Sequence, residues 1–163
     1  MRSADKDRLH DGGARLILAA LALLAIPALA GEPPPPSHQK YPAPIQLYVM
    51  NCWGCHKPGG EGIPGTVPRL RDTVGDFLHV PGGREYLIEV PGVAGSALSN
   101  AEVAEVLNWM LMTFSKNQIP PGFQPYTEAE VAKYRPRELN NVQTVRAELV
   151  SKLAAQGIKL PPQ

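Results

Sequence analysis

The chain of 163 residues contains two cysteines, Cys52 and Cys55, and they stand three positions apart in the run NCWGCH, with His56 directly after the second. Four chemistries use such a pair. A structural zinc site needs about four protein ligands, commonly two paired clusters; one cysteine pair is present, and His38 and His79 add no zinc-type spacing. A redox dithiol of C-x-x-C type, which Trp53 beside Cys52 would suit, belongs at the start of a helix in a βαβ unit; here the pair follows a helical pattern in a chain without strand alternation. A plain disulfide would close a minute loop, which restrains the unfolded chain very little. The fourth reading uses all three residues. Two thiols at this spacing can add across the two vinyl groups of a haem as thioethers, and the adjoining histidine is then carried beneath the iron as its proximal ligand. The pattern thus nominates Cys52 and Cys55 as anchors and His56 as a metal ligand for one covalent haem c.

Cysteine chemistry depends on compartment. Arg2, Lys6, Arg8 and Arg15 precede an apolar run from Leu16 to Ile26; Pro27 breaks it, and Ala28-Leu29-Ala30 places small residues where a signal peptidase reads. Leu16 to Ala30 is shorter than the roughly 20 residues that a spanning helix needs. Residues 1–30 are therefore expected to be a cleaved signal peptide and the rest periplasmic, with membrane attachment only if the leader stays uncleaved. From Gly31 onward 12 Lys and Arg balance 12 Asp and Glu. With no basic face demanded, nucleic acid is not expected as a partner.

The elements that must position the motif are helical. Residues 31–44 hold Pro33 to Pro36, Pro42 and Pro44 and read as a proline-rich linker. Ile45, Tyr48 and Val49 then recur at helical spacing, so a first helix leads into Cys52. A loop, KPGGEGIPGTVPRL, follows; its glycines suit it to wrap closely around something rigid. Next come the segment TVGDFLHV and a short helix from Gly83 to about Val90. Ser99 and Glu102 have capping-box spacing before Val103, Val106, Leu107, Met110 and Phe114, which predicts a helix over Asn100–Phe114. The tail repeats the box at Thr127 and Glu130, starting a helix to about Tyr134. It ends in an amphipathic helix with Val142, Val145, Leu149 and Leu153 on one stripe, terminated near Gly157. The mature protein reads as all-α: a domain of short helices over 45–115 and a C-terminal helical extension, drawn as a hairpin, over 116–163.

The stretch YVMNCWGCHKPGGEGIPGTVPRL resembles the N-terminal part of a class I c-type cytochrome, in which a helix ends in C-x-x-C-H and a glycine-rich loop leads to a proline. The likeness resumes at GREYLIEV and NAEVAEVLNWMLMTF. It implies a cytochrome c-like haem domain and gives Pro68 a role, its carbonyl accepting a hydrogen bond from the ring of His56; it also implies that Leu70 packs on the haem and Trp109 on the first helix. Such cytochromes usually take their sixth iron ligand from a methionine in the loop before the C-terminal helix, and VPGVAGSALSN has none. The distal ligand is accordingly sought at His79 or Met110, with His79 and Arg84 also suited to hydrogen-bond a haem propionate. Met50 is tied to the motif, and Met112 shares a face with Glu105 and Asn108 that suggests exposure.

These readings imply a periplasmic mono-haem carrier, not an enzyme, passing single electrons between transient redox partners such as a dehydrogenase and a terminal oxidase or reductase. The alternative is a haem-based ligand binder, sensor or peroxidase-like protein with an open distal site. A haem-free thiol oxidoreductase is a third reading, and it predicts a colourless protein.

Overall fold

The computed structural model describes residues 44–161. The expected signal peptide and all but the last residue of the proline-rich linker lie outside the described residues. Seven α-helices follow in order: α1 Pro44–Asn51, α2 Trp53–His56, α3 Gly83–Glu89, α4 Pro91–Ala94, α5 Asn100–Phe114, α6 Glu128–Tyr134 and α7 Val142–Ala155. Short 3-10 turns at Val74–His79, Lys116–Gln118 and Arg135–Arg137 connect them. The fold is all-α, as the periodicity predicts; among the described residues the sole sheet-like feature is an isolated bridge between Ile63 and Val67. None of the described helices is long and apolar enough to cross a membrane.

The body is built on α1 crossing α5. Leu47 and Tyr48 are the buried positions of α1, and Val103, Val106, Leu107, Met110, Leu111 and Phe114 are buried along α5 at three- and four-residue spacing. Tyr48 meets Trp109 and Phe114 with ring centroids 5.2 and 5.1 Å apart, so the aromatic expected to pack on the first helix does so. Tilted and edge-on rings at this range add about 0.5–1.5 kcal/mol per pair to the area they bury. The start of α5 is the reciprocal cap read from its sequence: Ser99 Oγ accepts from Glu102 N at 3.2 Å, and Glu102 Oε2 accepts from Ser99 N at 2.7 Å.

The second capping box forms only by half. Thr127 Oγ1 accepts from Glu130 N at 3.2 Å, but the Glu130 carboxylate turns away to Arg84, bound at 2.5 Å from Nε to Oε1 and 2.7 Å from Nη2 to Oε2. A bidentate guanidinium–carboxylate pair outcompetes one backbone N–H, because both partners are charged and their planes match.

Nor do the last two helices pair as a hairpin. Helix α6 packs on α5 and α3, whereas α7 packs on the 74–79 turn and on α3. Each has its own apolar residues to bury in the body: Val131 for α6, Leu149 and Leu153 for α7. Asn108, read as solvent-facing, binds the tail instead, donating to Tyr126 O at 2.9 Å and accepting from Tyr126 N at 2.7 Å. Met112, on that side of α5, is half exposed, as expected.

Candidate functional site

Helix α1 does not stop cleanly at Asn51. Cys52 N donates to Tyr48 O at 2.8 Å and His56 N to Cys52 O at 2.9 Å, so the chain continues with little interruption into the single turn of α2. One turn therefore carries both thiols and His56, since side chains three and four apart share a helix face. Both cysteines are free thiols, Cys52 half-buried and Cys55 exposed. Burial, with a smaller contribution from Cys55, pushes the Cys52 thiol above its ordinary value.

After His56 the backbone leaves the helix at Lys57, whose φ is +67°, and the carbonyl of Lys57 accepts from the Tyr48 hydroxyl at 2.7 Å. The glycine loop then returns to the motif. Gly62 N donates to His56 O at 3.0 Å, and His56 Nδ1 lies 3.0 Å from Pro68 O. A carbonyl can only accept, so this contact places the ring proton on Nδ1 and leaves the Nε2 lone pair free. Burial holds the His56 ring below its ordinary pKa, the Pro68 contact acting weakly the other way, so the neutral, metal-binding form is favoured.

Gly62 is the residue that lets the loop come this close. Its φ is +72°, and a Cβ there would stand 2.7 Å from Pro68 O, the atom that orients the histidine, and closer still to Val67 O. Any other residue would displace the carbonyl or strain the backbone.

Four of these residues line a cavity of about 820 Å³. They are Cys52, Cys55, His56 and Pro68; Leu70, Val74, Phe77, Tyr86 and Leu87 supply much of the apolar wall, with Val90, Val93 and Met110. Leu70, which the resemblance sets against a haem, is thus one of the cavity's lining residues. The volume falls within the roughly 300–1,000 Å³ common for cofactor pockets.

The structure separates the two residues nominated for the far side of the iron. Met110 lines the cavity. His79 does not, because the 3-10 turn over 74–79 aims its ring at the neighbouring turn, where Nε2 donates to Gln118 O at 2.8 Å. Arg84, nominated with His79 for a propionate, is likewise committed elsewhere: to Glu130, to Gln124 O at 2.8 Å, and across the ring of Tyr126.

The sequence reading missed the contribution of α7. Val142, Gln143, Arg146, Ala147 and Val150 all line the cavity. A signal exists, because 146 and 150 continue from Val142, itself on the predicted stripe, at every fourth residue, but an apolar stripe does not mark an arginine beside it as facing a cavity.

The residues fit a haem. They offer two free thiols on one turn, a neutral imidazole with one ring nitrogen already bound and the other free, a cavity of cofactor size with an apolar wall, and a buried cationic N–H, Arg146 Nε, without a hydrogen-bond partner.

No family model matches the chain. Two known proteins do, both named cytochrome c-552 and both from Thermus thermophilus; each is 35% identical to this chain over 118 residues. The match takes in 61% of this chain and 89% and 79% of the two relatives.

Proposed function

The chain belongs to the cytochrome c family, and on that premise we propose that it is a periplasmic mono-haem carrier passing single electrons between redox proteins. Cytochromes c are in general electron carriers rather than enzymes, and the family together with the cysteine pair points to a covalent haem c. When bound, that group supplies a one-electron ferric–ferrous couple. Cys52 and Cys55 would hold it by thioether bonds, and His56 would ligate through Nε2, its Nδ1–H donating to Pro68 O. A carbonyl partner on the far nitrogen fixes the ring's orientation and raises its basicity as a ligand. The apolar part of the wall leaves less solvent to reorganise when charge changes.

The observation that carries this reading is the 3.0 Å contact between His56 Nδ1 and Pro68 O, both lining a cofactor-sized cavity that the two free cysteines also line. The partners are a donor such as a dehydrogenase and an acceptor such as a terminal oxidase or reductase, met through brief, small contacts. The test is expression in a host with the cytochrome c maturation machinery. One thioether-linked haem per chain and a single one-electron Nernst curve are expected; a colourless protein refutes the reading.

One observation favours a second reading. Among the described residues lining the cavity, Met110 is the single methionine and His56 the single histidine. Met110 belongs to the buried stripe of α5, where a thioether commonly fills space. If it serves as core alone, the sixth position is open and the protein is a ligand binder, sensor or peroxidase-like protein. Rapid carbon monoxide binding to the reduced protein, with a shifted Soret band, supports that reading; a low-spin spectrum indifferent to carbon monoxide supports Met110 ligation and the carrier.

A further inference from the structure

Two arginines line the cavity, and their surroundings differ. Arg69 is already satisfied: its Nε donates to Arg71 O at 2.8 Å and its Nη2 pairs with Asp72 Oδ2 at 3.3 Å, both side chains partly in solvent. Among the described residues Arg146 has no such partners. Its Nε is buried and makes no hydrogen bond, and no carboxylate of the described residues lies within ion-pairing distance of its guanidinium. It stands instead against aromatic surface, with Cζ 5.6 Å from the ring centre of Phe77. Burial lowers its affinity for the proton, with Tyr86 opposing, which is the signature of a cation that lacks its counter-charge.

The register of α7 makes this placement systematic. Leu149 and Leu153 are buried in the protein body beside Val145, and that anchored face presents Val142, Arg146 and Val150 to the cavity at every fourth position. Arg146 as a whole is half-buried, but its Nε is out of water with no acceptor, and a buried polar group of a charged side chain is unfavourable there unless an anion faces it. Haem c is an apolar disc that carries two propionate carboxylates, and a planar guanidinium pairs with a carboxylate in a fork of two hydrogen bonds.

We propose that α7 is part of the haem site and that Arg146, the unpartnered cation it holds against the cavity, binds a haem propionate and thereby raises the reduction potential. The inference rests on the haem reading above. A positive charge paired beside the haem favours the reduced state, which carries one positive charge fewer than the oxidised one. Removing Arg146 therefore lowers the potential.

The experiment is an equilibrium redox titration of haem-loaded full-length protein, with resonance Raman spectra of the propionate bending modes. Arg146→Leu is expected to lower the one-electron reduction constant about tenfold, a shift of about 59 mV, and to move one propionate band. Arg146→Lys, which keeps the charge but loses the fork, is expected to fall between, and Lys152→Gln, an exposed change on the same helix, to match the parent. Where the leucine variant does not fold, Arg146→Gln, which keeps the polar stem, decides. Haem-loaded variants with reduction constants within about twofold of the parent and unmoved propionate bands overturn the role of Arg146 alone. A parent chain without covalent haem overturns the haem reading and this inference with it.

Discussion

Arg135, in the turn after α6, pins the short connection between α4 and α5 with a single side chain. Its guanidinium donates to Ala94 O at 2.9 Å, Leu98 O at 2.6 Å, Asn100 Oδ1 at 3.2 Å and Ser96 Oγ at 3.3 Å, and also to Ser96 O. Replacing it by leucine strips three backbone carbonyls of a charged donor. A hydrogen bond to a charged group contributes about 1.5–3 kcal/mol. Ala94, Ser96 and Leu98 are half-exposed, so water replaces part of what is lost, and the low end of that range, taken over three carbonyls and discounted for water, gives a loss of roughly 3–4 kcal/mol. For a domain of about this size 1 kcal/mol moves the melting temperature by roughly 3–5 °C, so Arg135→Leu is expected to melt about 10–15 °C below the parent. Arg135→Lys, a point charge that cannot reach three carbonyls together, is expected to keep less than half of the difference. The assay is thermal unfolding of haem-loaded protein followed by far-ultraviolet circular dichroism. A leucine variant melting within about 3 °C of the parent refutes the reasoning, because the carbonyls would then be satisfied without the guanidinium.

Three further outcomes follow from the site. Gly62→Ala places a Cβ against Val67 O and Pro68 O at a φ of +72°; left-handed strain alone costs roughly 1–2 kcal/mol, and with the clash added a loss of about 2–4 kcal/mol is expected in denaturant unfolding, so a neutral effect would show that the loop does not need this approach. Tyr48 is pushed up to about 12 by burial from an ordinary 10: the folded state holds its proton more tightly, so the corresponding stability is intact below about pH 10 and is lost as pH rises towards 12. Tyr48→Phe should remove that part of the alkaline decline and cost about 1 kcal/mol at neutral pH from the lost bond to Lys57 O; identical alkaline profiles for parent and variant would contradict this. Finally, Cys52→Ala combined with Cys55→Ala should abolish haem attachment and leave a largely unfolded chain, because so small a helical body depends on its cofactor as apolar core. A helical circular-dichroism spectrum that persists in the double variant would show that the polypeptide folds alone.

Local chemistry was legible without coordinates. The C-x-x-C-H spacing places two thiols and an imidazole on one turn wherever the helix sits, and the helix period of 100–114 and the Ser99 cap are short-range facts that no distant residue overrides. The resemblance supplied Pro68 as the partner of His56, and the His56 Nδ1–Pro68 O distance of 3.0 Å agrees with it. What spans many residues was not legible. Arg84 meets Glu130 across 46 positions and Arg135 meets Ala94 across 41, and neither pairing leaves a periodic trace, because a surface arginine and one that clamps a loop look the same in a row of letters. The same limit explains His79, which carries the right chemistry but is turned by its 3-10 backbone onto Gln118 O, 39 residues away. It explains Arg146 as well: its sequence marks only a helix, and which face of that helix meets the cavity was decided by Leu149 and Leu153 burying themselves in the body. Sequence determined which groups can hold a haem from the cysteine side; tertiary packing decided which groups surround the rest of the cavity, because only packing sets the rotation of one helix against another.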